Sequence, residues 1–435
     1  VTMLVSQCMT NLINQYKKYF PYISFLFVGL VIYHPIFSSF FFMEDFAFLR
    51  LMMVDSLPQF LHTFTPVSGV IYRPFSQQIF FYLMQTLFKT NALPYFITVF
   101  VIHIINTCLV FKIINKQTRN NKTAWLLSFL FVSSSIFFTS LYSLVTANFI
   151  ISLFFMLLSY LVWQTPETKT WTQYLISLFL FFLALFSSEY TAILPLILIL
   201  TDKAKLKNLI VFIPHGVLII TNIIINAFWA GERKGADTMM DPWGIPKSIQ
   251  WYALRALGLP EGIKNGFSYE INILTILAII LGLLLFWNSI RNWQHIQKYS
   301  NLIGTYILWI FLSSLPFLAL PNHLNPVYFS IAFIAFILLL EIILSPISLY
   351  IYVVISVLMA FLSIRLLMHT HWMVRRVNLV KKTMDNRIKI EGKHVLVTVP
   401  NTNTLYETKI TFLEDTGFQF LTGVRNLKVK YIVEK

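Results

Sequence analysis

Cysteine is nearly absent: Cys8 and Cys108 are the only two in 435 residues. One lies in the N-terminal segment and the other inside an apolar run, so neither a disulfide framework nor a cysteine metal site follows. Charge is also scarce, at 12% of residues, and acidic groups are scarcer still, with 18 Asp and Glu against 33 Lys and Arg. With 57% hydrophobic residues and a mean hydropathy of +0.71, the chain is far more apolar than a soluble domain of average composition. The sequence has no Gly-rich phosphate loop, no serine-nucleophile motif and no His and carboxylate grouping with metal-ligand spacing. Internal repeats and low-complexity tracts are lacking too.

What is present is a series of apolar windows between Tyr19 and Leu367, each of about 18–23 residues and so long enough to cross a hydrocarbon core of roughly 30 Å as a helix. The runs are continuous and not alternating, which excludes a β-barrel. Because the first run is as long as a span and many others follow, it reads as a retained helix and not a cleaved signal peptide. A net charge of +15 would point to nucleic acid in a soluble protein. Here Lys and Arg sit mostly in short loops between apolar runs, which is a topology signal, and nucleic acid is not an expected partner.

The basic flank Lys17-Lys18 places the N-terminus in the cytoplasm and the residues after the first span outside. The segment 74–90 is helical in period but only about 17 residues long, with Gln77, Gln78 and Gln85 inside it. Lying along the interface rather than crossing, it leaves the basic loops Lys112 to Lys122, Lys169, Lys203 to Lys207 and Arg291 to Lys298 all inside. Eleven spans follow in outline: about 20–41, 94–114, 123–141, 147–163, 172–187, 189–201, 208–229, 271–290, 302–320, 326–344 and 347–368. The expected fold is an all-α polytopic membrane protein over 1–368, with outer loops at 42–93 and 230–270. Interfacial helices are expected in the first outer loop, and another over Lys247 to Leu257, where Trp251, Tyr252 and Arg255 suit headgroup depth. Residues 369–435 form a small extracytoplasmic α+β appendage: a helix from Trp372 to Met384, then strands at His394–Val399 and Lys409–Leu413 joined by a turn at Asn401-Thr402-Asn403.

On this topology Glu44, Asp45, Asp55, Glu189, Glu232, Asp237, Asp241, Glu261 and Glu270 all lie at or beyond the outer boundary. Glu44 and Asp45 either mark a hydrated helix end or serve as a general base with its orienting partner. Glu189 stands between two closely apposed apolar runs, where an unpaired charge costs roughly 2.5 kcal/mol or more. It is a site candidate or the structural partner of a cation such as Arg73. In Tyr72-Arg73-Pro74 the proline suits a first helical turn, while the guanidinium of Arg73 either holds a phosphate oxygen or snorkels to a headgroup. His103 and Asn106 share one face of the second span and bond across the bundle or meet a ligand. His323 sits in a short outer loop within reach of a substrate.

Taken together, the acidic pair, Tyr72-Arg73-Pro74-Phe75, the span with Pro94 and His103-Ile104-Ile105-Asn106, and Ser188-Glu189 with Pro195 resemble the C-type membrane glycosyltransferases. The branch most similar is that of the transmembrane tetratricopeptide-containing O-mannosyltransferases and their bacterial relatives, with a Y-R-P-L and H-x-x-N pattern. Protein O-mannosyltransferases and lipid A aminoarabinose transferases are similar more distantly. The resemblance covers mainly 42–200. It implies a C-type fold with an interfacial helix after the first loop, a sugar donor carried on polyprenyl phosphate or pyrophosphate, Asp45 or Glu44 as base, Arg73 as a donor-phosphate contact and Glu189 lining the site. No cofactor is required by it, and a divalent cation is compatible with it. Val327-Tyr328 stands where an Arg-Tyr belongs, and the repeats of the eukaryotic members are absent from these residues.

The expected activity is an inverting transfer of the sugar from its lipid phosphate to the hydroxyl of an acceptor that is a glycan, lipid or protein. It would take place at the outer face of a bacterial inner membrane, with Arg73 and Arg255 or Lys247 stabilising the departing phosphate. The rival expectation is a transporter or flippase of a lipid-linked or polar solute, for which His103, Asn106 and Glu189 are equally natural. The lack of a repeat relating the two halves speaks against it.

Overall fold

The structure, a computed structural model, describes residues 19–66, 71–164, 170–201, 209–230, 240–261, 269–386, 388–391 and 394–433. Lys17-Lys18, Glu232, Asp237, Lys169, the basic stretch 203–207 and the parts 231–239 and 262–268 of the 230–270 loop, all named above, lie outside these residues. The first half contains α1 (Tyr19–Ser38), α2 (Glu44–Leu51), α3 (Leu57–His62), α4 (Phe80–Phe88), α5 (Leu93–Thr118), α6 (Asn121–Ser133), α7 (Phe138–Tyr142), α8 (Asn148–Trp163), α9 (Trp171–Leu185) and α10 (Leu194–Thr201). Then come α11 (Ile213–Ala230), α12 (Ile245–Ala256), α13 (Tyr269–Arg291), α14 (Trp293–Lys298), α15 (Ser300–Leu318), α16 (Ser330–Ile343), α17 (Pro346–Thr370) and α18 (Trp372–Asn386). The chain closes with β1 (Ile388–Glu391), β2 (His394–Val399), α19 (Thr402–Thr411), α20 (Thr416–Thr422) and β3 (Lys428–Val433).

Among the described residues nine helices are long and apolar enough to cross a membrane: Tyr19–Ser38, Leu93–Thr118, Asn121–Tyr142, Val145–Trp163, Leu209–Phe228, Glu270–Arg291, Ser300–Leu318, Pro326–Ile343 and Pro346–Thr370. The other two of the eleven expected spans are shorter apolar helices, Trp171–Leu185 and Glu189–Thr201. An all-α polytopic membrane protein is the architecture. Helices suit the lipid because they satisfy every backbone N–H and C=O internally. Their starts carry the expected signals. Asn120 accepts the amides of Lys122 and Thr123 at α6, and Ser345 followed by Pro346 opens α17.

Burial sorts the spans. The span Asn121–Tyr142 is 83% buried inside the protein, against 17% for Leu209–Phe228, so α6 is central and α11 leaves most of its surface to lipid. The helix α1 packs on α5 through Gly29, where an added Cβ would meet Ile104 at 2.8 Å and Phe100 at 3.3 Å. Gly29→Val is expected to cost about 1–3 kcal/mol by overpacking. The thermal midpoint in detergent should fall well below that of Gly282→Val, since a Cβ added at Gly282 would meet no neighbouring element within 4 Å.

Two sets of connections mark the two faces. On one, the Lys116 side chain bonds the Gln164 carbonyl, Gln164 bonds Thr201 at 3.2 Å and Asn292 bonds the Ile343 carbonyl at 3.0 Å. Arg119, Lys122, Arg291 and Lys298 belong to this end by their positions at the helix termini. On the other, the segment after α1 meets the segment before α8, the turn before α10 and the tail beyond α17, as detailed below. Among the described residues, eight of the long apolar helices and the shorter pair α9 and α10 lie between the first loop and the tail. With that pair counted as a hairpin, the number of crossings is even. The tail therefore returns to the face of the first loop only if 74–88 does not cross. The segment winds as one π turn from Pro74 to Ile79 and then as α4.

The tail holds a three-stranded sheet in the order β1-β2-β3. Strand β1 pairs antiparallel with β2 and β2 parallel with β3. The parallel pair needs a crossover, and α19 and α20 supply it. Val395, Val397, Val399, Phe412, Phe418 and Leu427 form the core beneath. Two sequence expectations fail here. Lys409–Leu413 is not a strand, because its first three residues close α19, with Thr408 and Thr411 buried on one helical face. Asn401 is not a turn between strands but the cap of that helix, its side chain accepting the Thr404 amide at 2.8 Å. Five residues of alternation are too few to tell period 2 from one turn of helix, and the third strand is Lys428–Val433.

Candidate functional site

The candidate site gathers around the first turns of the span Val145–Trp163. The residues before it leave the bundle after α7 and re-enter through a 3₁₀ turn at Val145–Ala147, so the Val145 amide has no partner within its own helix. Asp45 supplies one. Its carboxylate accepts the Val145 N–H at 2.9 Å and the Phe42 N–H at 3.3 Å, and the residue is 1% exposed. Burial raises the Asp45 pKa to about 8; the Val145 and Phe42 amides pull it down and the charge of Glu44 pushes it up. Glu44, one residue earlier, is exposed. The vicinal acids therefore occupy unlike places: one is enclosed and fixed, the other exposed on the surface.

One turn along the same helix, Phe149 meets the second charged group. The Arg73 guanidinium stands 5.8 Å from the Phe149 ring centroid and is paired with Glu189, Nε to Oε2 at 2.8 Å and Nη2 to Oε1 at 2.5 Å. Burial works against the charge on Arg73, but the attraction and hydrogen bonds of Glu189 more than offset it and the pKa rises. The pair is lopsided in exposure, 12% for the Arg73 side chain and 42% for Glu189. Asn148 joins the group through Ser188 at 3.5 Å, and Tyr190 bonds the Phe149 carbonyl at 3.0 Å. Tyr72 precedes Arg73 and is held by the Asn226 side chain, which accepts its N–H at 2.8 Å. No ion pair joins Asp45 to Arg73. They are associated through Val145 and Phe149, four residues apart and thus about 6 Å along a helix.

Tyr328 extends the cluster. Its ring stacks on Phe317 at 4.1 Å and meets Phe149 at 5.3 Å, its hydroxyl bonds His323 Nε2 at 2.8 Å, and it lies close enough to influence both Arg73 and Tyr252. Tyr252, on α12, stacks on Phe329 at 5.8 Å. One turn further, Arg255 lies over Trp251 at 4.4 Å and donates to the Leu259 carbonyl at 3.3 Å. Burial lowers its pKa to about 10, with the charge of Glu261 opposing. Glu261 in turn bonds His371 at 2.8 Å.

Of the nine residues singled out from the sequence, seven lie along this one face: Asp45, Glu44, Tyr72, Arg73, Glu189, His323 and Arg255. His103 and Asn106 do not. His103 bonds the Val132 carbonyl at 3.2 Å and sits between Phe131 and Phe137, while Asn106 donates to the Ile150 carbonyl at 2.9 Å. Both tie α5 to neighbouring helices inside the bundle, which is the bonding role weighed above. Sequence reasoning missed Phe149, the floor under Arg73, and His371, the partner of Glu261. An aromatic inside an apolar run carries no mark of its position, and a histidine just past a span reads as a boundary residue.

Among the described residues no group of three His, Cys, Asp or Glu side chains is gathered as a metal site. Comparison of the chain with protein-family models, with curated proteins and with solved structures gives no match.

Proposed function

We propose that the protein is an inverting glycosyltransferase that moves a sugar from a polyprenyl-phosphate donor to an acceptor hydroxyl at the outer face of a membrane, the plasma membrane of a bacterium. The observation that carries this reading is the meeting of Asp45 and the Arg73–Glu189 pair on the first two turns of one helix. A buried carboxylate with a pKa near 8 suits a general base working near neutral pH. Arg73 keeps its Nη1 outside the pair with Glu189 and faces the aromatic wall of Phe149, where a phosphate diester would find a positive partner. In the proposed step the acceptor oxygen bonds the anomeric carbon from the side opposite the phosphate. The C–O bond to phosphate breaks, the phosphate keeps the electron pair beside Arg73, and the acceptor proton passes to Asp45.

A transporter would need polar groups free midway through the bundle. The mid-bundle residues His103 and Asn106 each bond a backbone carbonyl and leave His103 Nδ1 and Asn106 Oδ1 without a partner among the described residues, but the charged side chains Asp45, Arg73 and Glu189 gather at one end of the bundle and not midway, so this reading has less support. Mass spectrometry of envelope lipids, polysaccharides and proteins, with the protein and without it, tests the proposal. Loss of one glycan together with build-up of a polyprenyl-phosphate sugar is expected. No change in any glycan, with the Glu44 loop found cytoplasmic by cysteine accessibility, overturns it.

A further inference from the structure

The turn ahead of Asp45 is strained. Met43 has φ 50° and ψ −124°, a conformation that residues with a side chain avoid. On its own side the turn is closed by the Asp45 N–H donating to the Phe42 carbonyl at 3.1 Å and by the Phe42 N–H donating back to the Asp45 carboxylate. The third contact comes from far along the chain: the Met43 N–H donates to the Thr411 carbonyl at 2.7 Å.

The tail grips both flanks of Asp45. Phe46 stacks on Phe412 with ring centroids 5.8 Å apart and planes 9° from parallel, and Phe420 meets Phe41 at 5.6 Å. Gly417 lets these surfaces close, since a Cβ there would stand 2.9 Å from the Phe412 carbonyl oxygen and 3.0 Å from the Phe46 ring. Two tail cations dock on the first loop, Lys381 bonding the Ser38 carbonyl and Arg425 pairing with Asp55 at 2.6 Å, while Arg376 braces the tail internally through the Glu407 carbonyl and Thr411 hydroxyl. Among the described residues, the one charged group that acts on Asp45 is its neighbour Glu44.

We propose that the tail, 372–433, is a positioning element of the site: docking through Thr411, Phe412 and Gly417 holds the Met43 turn, and the turn holds the Asp45 carboxylate on the Val145 amide. This rests on the reading of Asp45 as the base. Undocking frees the turn, admits water to Asp45 and removes the burial that sets its proton affinity.

The test uses the full chain in lipid nanodiscs and reads Asp45 directly. A hydrophobic carbodiimide attacks protonated carboxyl groups, and the extent of Asp45 labelling is followed by peptide mass spectrometry against pH. In the wild type the labelling midpoint is expected at about 8. Gly417→Val, which wedges Phe46 from Phe412, and Phe412→Ala, which removes the stack, should each lower it by at least about one pH unit, tenfold in proton affinity. Tyr406→Ala, at an exposed position on α19, should leave it in place. Joining Asp55→Cys to Arg425→Cys with a short bis-maleimide should restore the midpoint in Gly417→Val. Phe412→Ala serves where Gly417→Val fails to insert. Wild-type midpoints in both docking variants, or an equal shift in Tyr406→Ala, overturn the proposal. Because labelling needs no sugar donor, a shifted midpoint in a protein that transfers nothing would sink the transferase reading and leave the positioning intact.

Discussion

Asp45→Asn is expected to insert normally and to lower sugar transfer at least about 100-fold, the usual contribution of a positioned general base. Glu44→Gln, altering an exposed neighbour, should lower it less than about tenfold; the reverse order would move the base to Glu44. The wild-type rate should climb with pH and level off above about 8, because the proposed base would act only when deprotonated and the Asp45 pKa is raised to about 8. Stability should run the other way. Between the ordinary carboxylate pKa of 3.8 and about 8 the folded protein holds a proton on Asp45 that the unfolded chain has released, so the folded state loses stability as pH rises through that window and not beyond it. Transfer rate and thermal midpoint, measured on the same samples from about pH 5 to 9, check both slopes. A rate independent of pH across that range would remove Asp45 from the proton transfer.

Glu189→Ala is expected to destabilise the protein more than Arg73→Ala, although both delete the same pair. Removing Glu189 strands a guanidinium whose side chain is 12% exposed, whereas removing Arg73 leaves a carboxylate that is 42% exposed and can hydrate. Breaking a fully buried pair from one side costs about 3–5 kcal/mol. Partial solvation of Glu189 reduces this to about 2 kcal/mol for Glu189→Ala. Arg73→Ala combined with Glu189→Ala should recover much of the loss, because no buried charge then remains. Denaturation of the four proteins in one detergent gives the double-mutant cycle. A coupling near zero would mean that the pair is held by the fold and contributes nothing to it. Arg73→Lys, which gives up the two-pronged grip, is expected to weaken donor binding before it slows the chemical step.

The bundle was legible in the sequence because its cause is one-dimensional. A span is a length of apolar chain, and each of the eleven apolar runs proposed became an apolar helix, nine of them of spanning length. The outer-loop helix expected over Lys247 to Leu257 falls on α12, its polar and aromatic residues having marked it. The partner of Glu189 was legible as well, since a carboxylate between two apolar runs needs a cation and Arg73 was the one at hand. The tail was harder. Lys409–Leu413 alternates like a strand for five residues, and only the distant Asn401 cap and the buried Thr408 and Thr411 fix it as helix. Least legible was Asp45. Its neighbour Glu44 is identical to it in charge and nearly so in shape, and what separates them is contact with the Val145 amide, 100 residues on, which no local pattern encodes.

The Arg425–Asp55 contact bridges 370 residues. At about 5–20 residues per second, a ribosome takes roughly 20–70 s to travel that distance, and α2 spends that interval in place with its aromatic face uncovered. The segment around Asp55 is thus made long before the surface that covers it, and matures only when that surface arrives. A chain stopped within the final apolar helix would insert with its spans in order and still lack the surface that closes over Phe46. To the cell such a product would be a folded bundle with one exposed aromatic patch, a mark by which a membrane protease could tell unfinished copies from finished ones.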